Sequence, residues 1–364
     1  MTTGIVLLNL GGPRDLDEVE PFLVKLFADR EIIKLPWQSI LGPFIARRRT
    51  PAVRELYRAI GGGSPLLSWT QRQAAGMVER LDRLSPETAP HLPFVAFRYA
   101  APSSEDALVA MAEAGVERAV AFTQYPQFSC ATTGSSLNEL WRAADRVGLA
   151  DRFSWSVIDR WYLHPGFIEA MVQRVREGLE GYPEEERGDV LLLFSAHSLP
   201  LEMVKRGDPY IREVSATVDA VVEALGGRHP FTLSWQSEVG PVAWMGPSTE
   251  RTIADLASMG VKNALVVPIA FTSDHIETLS ELDIELAEQA HAAGMTGFRR
   301  APALNDHPGF IDAMADIVHR HLSTREVCSP LYGVRCGGCT NAACRNILRP
   351  ATPYTRLPLP AARG

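Results

Sequence analysis

The chain has 364 residues, 46% of them hydrophobic and 22% charged, and at ~100–200 residues per domain it is long enough for about two domains with sizeable cores. Its 36 Lys+Arg against 43 Asp+Glu leave a formal charge of −7, so there is no global basic field to hold nucleic acid, and the scattered Gly and Pro exclude disordered and collagen-like chains. No apolar run approaches the ~20 residues of a membrane-spanning helix. The opening MTTGIVLLNL carries neither a basic region nor a cleavage site, which makes a cytoplasmic chain the expectation.

In chain order, Gly4–Leu10 is a short apolar run ended by Gly11-Gly12-Pro13, the pattern of a buried parallel strand entering a loop. Leu35–Ala46 is uncharged and runs straight into Arg47-Arg48-Arg49. Too short to span a bilayer, it suits an interfacial segment, the lining of a pocket for a large planar ligand, or a core helix, for which its Trp, Phe and prolines are poor material. Ala114–Thr123 reads as a helix end, a glycine and a central strand, and leads to Tyr125 and Cys130. His164–Met171 then opens a helix. The same words return in the second half: Asp189–Ser195 is a strand ended by Ala196-His197-Ser198, Met259–Thr272 repeats the helix end, glycine and strand, and His307–Met314 opens another helix. This repeat predicts an α/β chain of two similar Rossmann-like domains, residues 1–160 and 161–325, with parallel sheets covered by helices and a C-terminal extension over 326–364. Ligands in such folds bind beyond the carboxyl ends of the strands, which puts Leu10, Tyr125, His197 and the segment after Phe271 around an interdomain cleft.

That last segment is the most informative. Glu277, Glu281 and Glu285 recur every four residues and drift slowly around a helix, with Asp274 and His275 at its start. A π-type turn is the kind of local widening found at functional sites. The stripe reads either as a solvated acidic face or, given its place after a strand, as a weak site for a divalent first-row cation. His197 is either a satisfied structural residue or a proton acceptor and metal ligand. Cys336, Cys339 and Cys344 have the spacing C-x2-C-x4-C, which fits an iron–sulfur cluster or a zinc knot and needs a fourth ligand, Cys328 or Cys130.

Together, Leu8-Asn-Leu-Gly-Gly-Pro13, Ile60-Gly-Gly-Gly-Ser-Pro65, Phe97-Arg-Tyr99, Phe122–Cys130, Ser195-Ala-His-Ser-Leu-Pro200, Trp235-Gln-Ser and Phe271–Leu279 resemble the ferrochelatases, in order and along essentially the whole chain. The resemblance implies a chelatase-type fold and a lyase that inserts Fe2+ into protoporphyrin IX with release of two protons. By motif it makes His197 and Glu277 the groups facing each other across the macrocycle, supported by His275 and Asp274. It makes Glu281 and Glu285 an acidic conduit for the ferrous substrate and Arg98 and Tyr99 the opposite wall. It places Arg49, Tyr57 and Ser64, with Leu10 and Tyr125, against the porphyrin, and turns 35–49 into a lip resting on a membrane. It further implies a [2Fe–2S] cluster on Cys130, Cys336, Cys339 and Cys344, as in animal members, and a homodimer. Leu10 stands where relatives carry Met or Tyr, and Glu238 where animal members carry Lys. With no leader in view, the expectation is a bacterial member, cytoplasmic and bound peripherally to the inner face of the membrane. The alternatives are coproporphyrin III or another tetrapyrrole as substrate, and a non-catalytic haem- or iron-binding redox sensor.

Overall fold

Buried runs of Val, Leu, Ile and Ala suit strands packed on both faces, and these are the segments that form them. The computed structural model describes residues 2–240, 242–324, 326–333, 336–339, 341, 344 and 346–348. Its strands are β1 (Thr2–Asn9), β2 (His91–Phe97), β3 (Val116–Thr123), β4 (Ser154–Ile158), β5 (Leu191–His197), β6 (Phe231–Gln236), β7 (Asn263–Pro268) and β8 (Gly297–Arg300). They make two four-stranded sheets of orders β2-β1-β3-β4 and β6-β5-β7-β8, parallel throughout. The sequence repeat is thus a repeat of topology: the first and second strands of each half pair directly, and the third lies on the other side of the first.

The first half adds helices α1 (Val19–Ala28), α2 (Gln38–Ala59), α3 (Leu66–Leu84), α4 (Ser104–Glu113) and α5 (Ser135–Arg146), followed by α6 (Pro165–Leu179). The second adds α7 (Leu201–Lys205), α8 (Tyr210–Ala224), α9 (Thr249–Ser258), α10 (Ala287–Ala292) and α11 (Pro308–Thr324). Each His-Pro pair opens its helix as read, with proline at the first helical position, where a missing N–H costs nothing. Helix α11 lies against α3 and α6. There the glycines matter: a Cβ on Gly76 would meet Ile311 Cγ2 at 2.9 Å, and one on Gly166 would meet Ala313 Cβ at 2.9 Å. One apolar cluster therefore runs through both halves, joining Ile5, Leu7 and Met77 to Phe167, Phe194 and Phe310.

Helix α2 overrides its own composition. Its prolines, Pro43 and Pro51, are interior, yet packing against α1 holds the helix, as tertiary contacts commonly override propensity. Gln38 donates to Phe27 O and Ile33 O, and Gly42 approaches so closely that a Cβ would stand 2.8 Å from Phe27 O. Gln38, Gly42, Ala46 and Thr50 form the buried stripe. Trp37, Ile40 and Phe44 face outward, 79%, 70% and 61% exposed. No described helix is long and apolar enough to cross a membrane.

The extension returns to the first half. Val157 N–H donates to Val327 O, Ser329 Oγ donates to Asp159 at 3.0 Å, and Ile347 and Leu348 enter the apolar cluster around Phe128. Its Pro-rich end, after residue 348, lies outside the described residues.

Candidate active site

Strand β5 delivers His197 to the carboxyl edge of the second sheet, opposite Gln236 in register. The His197 Nδ1 lies 2.6 Å from Ser198 O. A carbonyl only accepts, so Nδ1 carries the hydrogen and Nε2 of the neutral ring is the acceptor. That Nε2 is 3.7 Å from Glu277 Oε1, and both side chains are about one-third exposed, at 36% and 30%. The Trp244 ring stands 6.3 Å from the imidazole.

Glu277 begins a π-helix, Glu277–Leu286, just beyond the loop that follows β7. The loop is tightly bonded. Thr278 Oγ1 accepts from His275 N–H and Gln73, reaching over from α3, donates its amide hydrogens to Thr272 O, Ser273 Oγ and Asn305 O. His275 has an acceptor at each ring nitrogen, Ser273 O at 3.0 Å from Nδ1 and Glu277 Oε2 at 3.2 Å from Nε2. Two acceptors require two N–H groups, so this imidazole is held as a cation. Burial would lower its pKa, but the Glu277 carboxylate outweighs that and raises it. In return, although burial works upward on Glu277, His197 and His275 bring its carboxyl down to about 2. Glu281 is the converse: burial and the neighbouring Glu277 charge raise it, although Gln236 Nε2, Ser237 N–H and Ser237 Oγ all donate to it. Glu285 is exposed and accepts from Ser280 Oγ at 3.0 Å. The acidic residues thus run from the His197–Glu277 contact to an exposed position along one helical segment.

The first half supplies the facing residues. Leu10 N–H donates to Tyr125 Oη at 2.8 Å, and Tyr125 donates to Asn9 Oδ1 at 3.0 Å, which brings Leu10 and Tyr125 together. Gly12 and Ser64 touch so closely that a Cβ at Gly12 would lie 2.6 Å from Ser64 Oγ, with Tyr57 Oη 3.8 Å away. Ile276, next to Glu277, packs into the cluster that holds Tyr57. Burial raises the phenol pKa values of Tyr57, Tyr125 and Tyr210, and the Glu277 charge adds to this, so all three lie within its field.

Several expected residues have other principal partners. Asp274 binds Arg300 at 3.1 Å and Asn305 Nδ2 at 2.7 Å and accepts from Thr278 Oγ1, bracing the loop from behind. Arg98 pairs with Asp29 and Glu31, and Tyr99 donates to Asp29 Oδ2 at 2.6 Å. Arg49 is exposed, its guanidinium 5.8 Å from the Phe27 ring centroid. Tyr210, Trp244 and Gln236 join the site from α8, a loop and β6; only Trp235-Gln-Ser carried a sequence signal for any of them.

The cysteines correct an expectation. A [2Fe–2S] cluster needs four converging ligands, but among the described residues no group of three or more His, Cys, Asp or Glu is placed to hold a metal ion. Cys130 Sγ and Cys336 Sγ stand 4.0 Å apart, and Cys344 is close enough for its charge to act on Cys130. The hydrogen bond to Cys336 and burial raise the Cys130 thiol, and the same bond lowers Cys336 to about 7. Cys339 Sγ lies 4.0 Å from Asn341 O, and Cys328 is fully buried in the apolar cluster. The residues as placed do not fit the cluster.

The ferrochelatase family model matches residues 2–322. The chain belongs to the ferrochelatase family. It is 52% identical over 343 residues to the mitochondrial ferrochelatase of Xenopus laevis, covering 94% of this chain and 84% of that one. Over 344 residues it is 52% identical to the human mitochondrial enzyme, covering 94% and 81%, and over 343 residues it is 50% identical to that of Schizosaccharomyces pombe, covering 94% and 81%. Among solved structures, SirB from Bacillus subtilis with Fe3+ matches with a TM-score of 0.51 at 12% identity, covering 90% of this chain and 99% of that one, a likeness of fold alone. This ferrochelatase inserts Fe2+ into protoporphyrin IX to form haem. The expectation of a bacterial, cytoplasmic member is corrected: the similarity is to eukaryotic enzymes, each described as mitochondrial.

Proposed function

We propose that His197 and Glu277 are the catalytic pair of this ferrochelatase, His197 taking up pyrrole protons and Glu277 stabilising the imidazolium that results and meeting the incoming Fe2+. The observation that carries this is the tautomer: with Nδ1 committed to Ser198 O, the free acceptor Nε2 is the nitrogen that faces Glu277. A ring nitrogen with a free lone pair accepts a proton, and the Glu277 carboxylate 3.7 Å away supplies the opposite charge. His275 keeps Glu277 ionised, and Asp274 holds the loop that carries both. Tyr57, Ser64, Leu10 and Tyr125 line the porphyrin on the first-half side, with Arg98 and Tyr99 as the facing wall and Arg49 as a cation for a propionate. The halves 1–160 and 161–325 close on this site, and 326–364 is an extension of the first.

Glu281 and Glu285 lead from the pair to solvent and serve the passage of metal or protons. Glu281→Gln and Glu285→Gln are expected to raise the Fe2+ concentration for half-saturation while leaving half-saturation by porphyrin near wild type, measured anaerobically by haem formation. Unaltered metal dependence in both would make the stripe a solvated face.

The outward face of Trp37, Ile40 and Phe44, next to Arg47, Arg48 and Arg49, supports reversible binding to a membrane surface, where the porphyrin is soluble. Apolar burial at ~25 cal/mol/Å2 and attraction of arginine to anionic headgroups act together there. The protein is expected to co-float with anionic phosphatidylserine vesicles, and a variant with Trp37→Ala, Ile40→Ser and Phe44→Ser to remain below. Wild-type protein that never floats contradicts membrane binding.

A further inference from the structure

Glu31, in the loop after α1, is a largely buried carboxylate whose side chain is 20% exposed. Oε2 accepts from Arg98 Nη2 at 3.0 Å and, at 3.5 Å, from Arg142 Nη2, whereas Oε1 accepts from Arg142 Nη1 at 2.9 Å, Asn138 Nδ2 at 3.2 Å and Asn341 Nδ2 at 3.1 Å, so Arg142 spans both oxygens while Arg98 is bonded to one and Asn341 to the other. Asn138 and Arg142 lie on α5. Asn341 belongs to the extension, two residues after Cys339, and is 310 positions away from Glu31 along the chain. Arg98 is itself buried, its side chain 3% exposed. It shares Asp29 with the Tyr99 hydroxyl, and its Nη1 is buried without a hydrogen-bond partner among the described residues.

We propose that Glu31 is a positioning residue that couples the placement of the C-terminal extension, through Asn341, to the orientation of Arg98 on the pocket wall. A planar carboxylate cannot turn one oxygen toward a partner without turning the other. Losing or shifting the Asn341 amide on Oε1 therefore re-aims Oε2 and the guanidinium bonded to it. Buried charges in one hydrogen-bonded network respond together, because the low local dielectric makes each partner's position costly to change. Arg98 Nη1, the buried donor left over once Asp29 and Glu31 are satisfied, is the group whose direction this sets. Binding or loss of anything that moves the extension is thereby read at the wall, although the extension itself carries none of the residues placed in the pocket. This rests on the wall role of Arg98 given above.

The test is a double-mutant cycle in the full-length protein with Asn341→Ala, Glu31→Gln and both, and Arg98→Ala as reference, following kcat, KM for protoporphyrin, and quenching of protoporphyrin fluorescence on binding. Residues in one network are expected to be non-additive. Asn341→Ala is expected to lower kcat by about threefold or more in the wild-type background and to have no further effect in Glu31→Gln, with the same pattern in porphyrin affinity. Equal effects of Asn341→Ala in both backgrounds would overturn the coupling. Wild-type kinetics in Arg98→Ala would instead overturn the wall reading and leave the cycle to report on the network alone. If Glu31→Gln does not fold, Asn341→Ala in an Arg98→Lys background carries the same cycle, since the route through Arg98 predicts loss of the Asn341 effect there as well.

Discussion

His197→Ala is expected to stop haem formation while leaving porphyrin binding close to wild type. Two pyrrole N–H protons leave as Fe2+ enters, and a positioned base contributes ~10²–10⁴-fold to such a transfer. The acceptor geometry is specific: Nδ1 is bonded to Ser198 O at 2.6 Å, and only Nε2 is presented to Glu277. A fall in kcat of at least about 10²-fold is therefore expected with the dissociation constant for protoporphyrin, read by fluorescence, little changed. His197 lies one-third exposed at a strand end rather than in the core, so its truncation leaves no large cavity and the fold should persist. Activity near wild type would remove His197 from the reaction.

Glu277→Gln carries the second large effect. It removes the charge that favours the His197 imidazolium and turns one face of His275 toward a neutral amide. A decrease in kcat of about tenfold or more, corresponding to ~1.4 kcal/mol, is expected. The same substitution has a signature in stability. The Glu277 carboxyl is brought from 4.5 to about 2 in the folded protein, so its stabilising contribution is present above its ordinary value and disappears as pH falls through about 2. The His275 pKa is raised above its ordinary 6.5, so the contribution of its charged form is complete below that value and disappears as pH rises through the higher, folded one. The pair therefore stabilises most between 4.5 and 6.5. The difference in Tm between wild type and Glu277→Gln should be largest near about pH 5.5 and narrow toward about pH 9, measured by thermal denaturation in matched ionic strength. A gap of equal size at both would mean that His275 is not held as a cation by Glu277.

Much of this site is legible in the sequence. The runs Gly4–Leu10 and Asp189–Ser195 became β1 and β5 with small shifts at their ends, because a buried parallel strand is written in contiguous residues. The acidic recurrence and its position after a strand pointed to the segment that became the π-helix of Glu277–Leu286. The cysteine spacing is less reliable, since three nearby thiols in a short segment show what a loop can hold and not where its side chains meet. In the fold Cys130 meets Cys336, while the larger ligand set is absent among the described residues.

The sequence by itself determined the family, the two-sheet architecture and the candidate pair His197 and Glu277, because strand periodicity and motif order are local properties that survive in a string of residues. Only the tertiary structure decided whom each charged group answers to. Asp274 turned to Arg300 and Asn305, Arg98 and Tyr99 to Asp29 and Glu31, and His275 acquired two acceptors that fix its protonation. Trp37, Ile40 and Phe44 were left outward because Gln38, Gly42 and Ala46 took the inner face of α2. Long-range packing likewise brings α11 back against α3 and returns the extension to α5 and Glu31. A hydrogen-bond partner more than 200 residues away, as Asn305 is for Gln73, leaves no local pattern from which to read it.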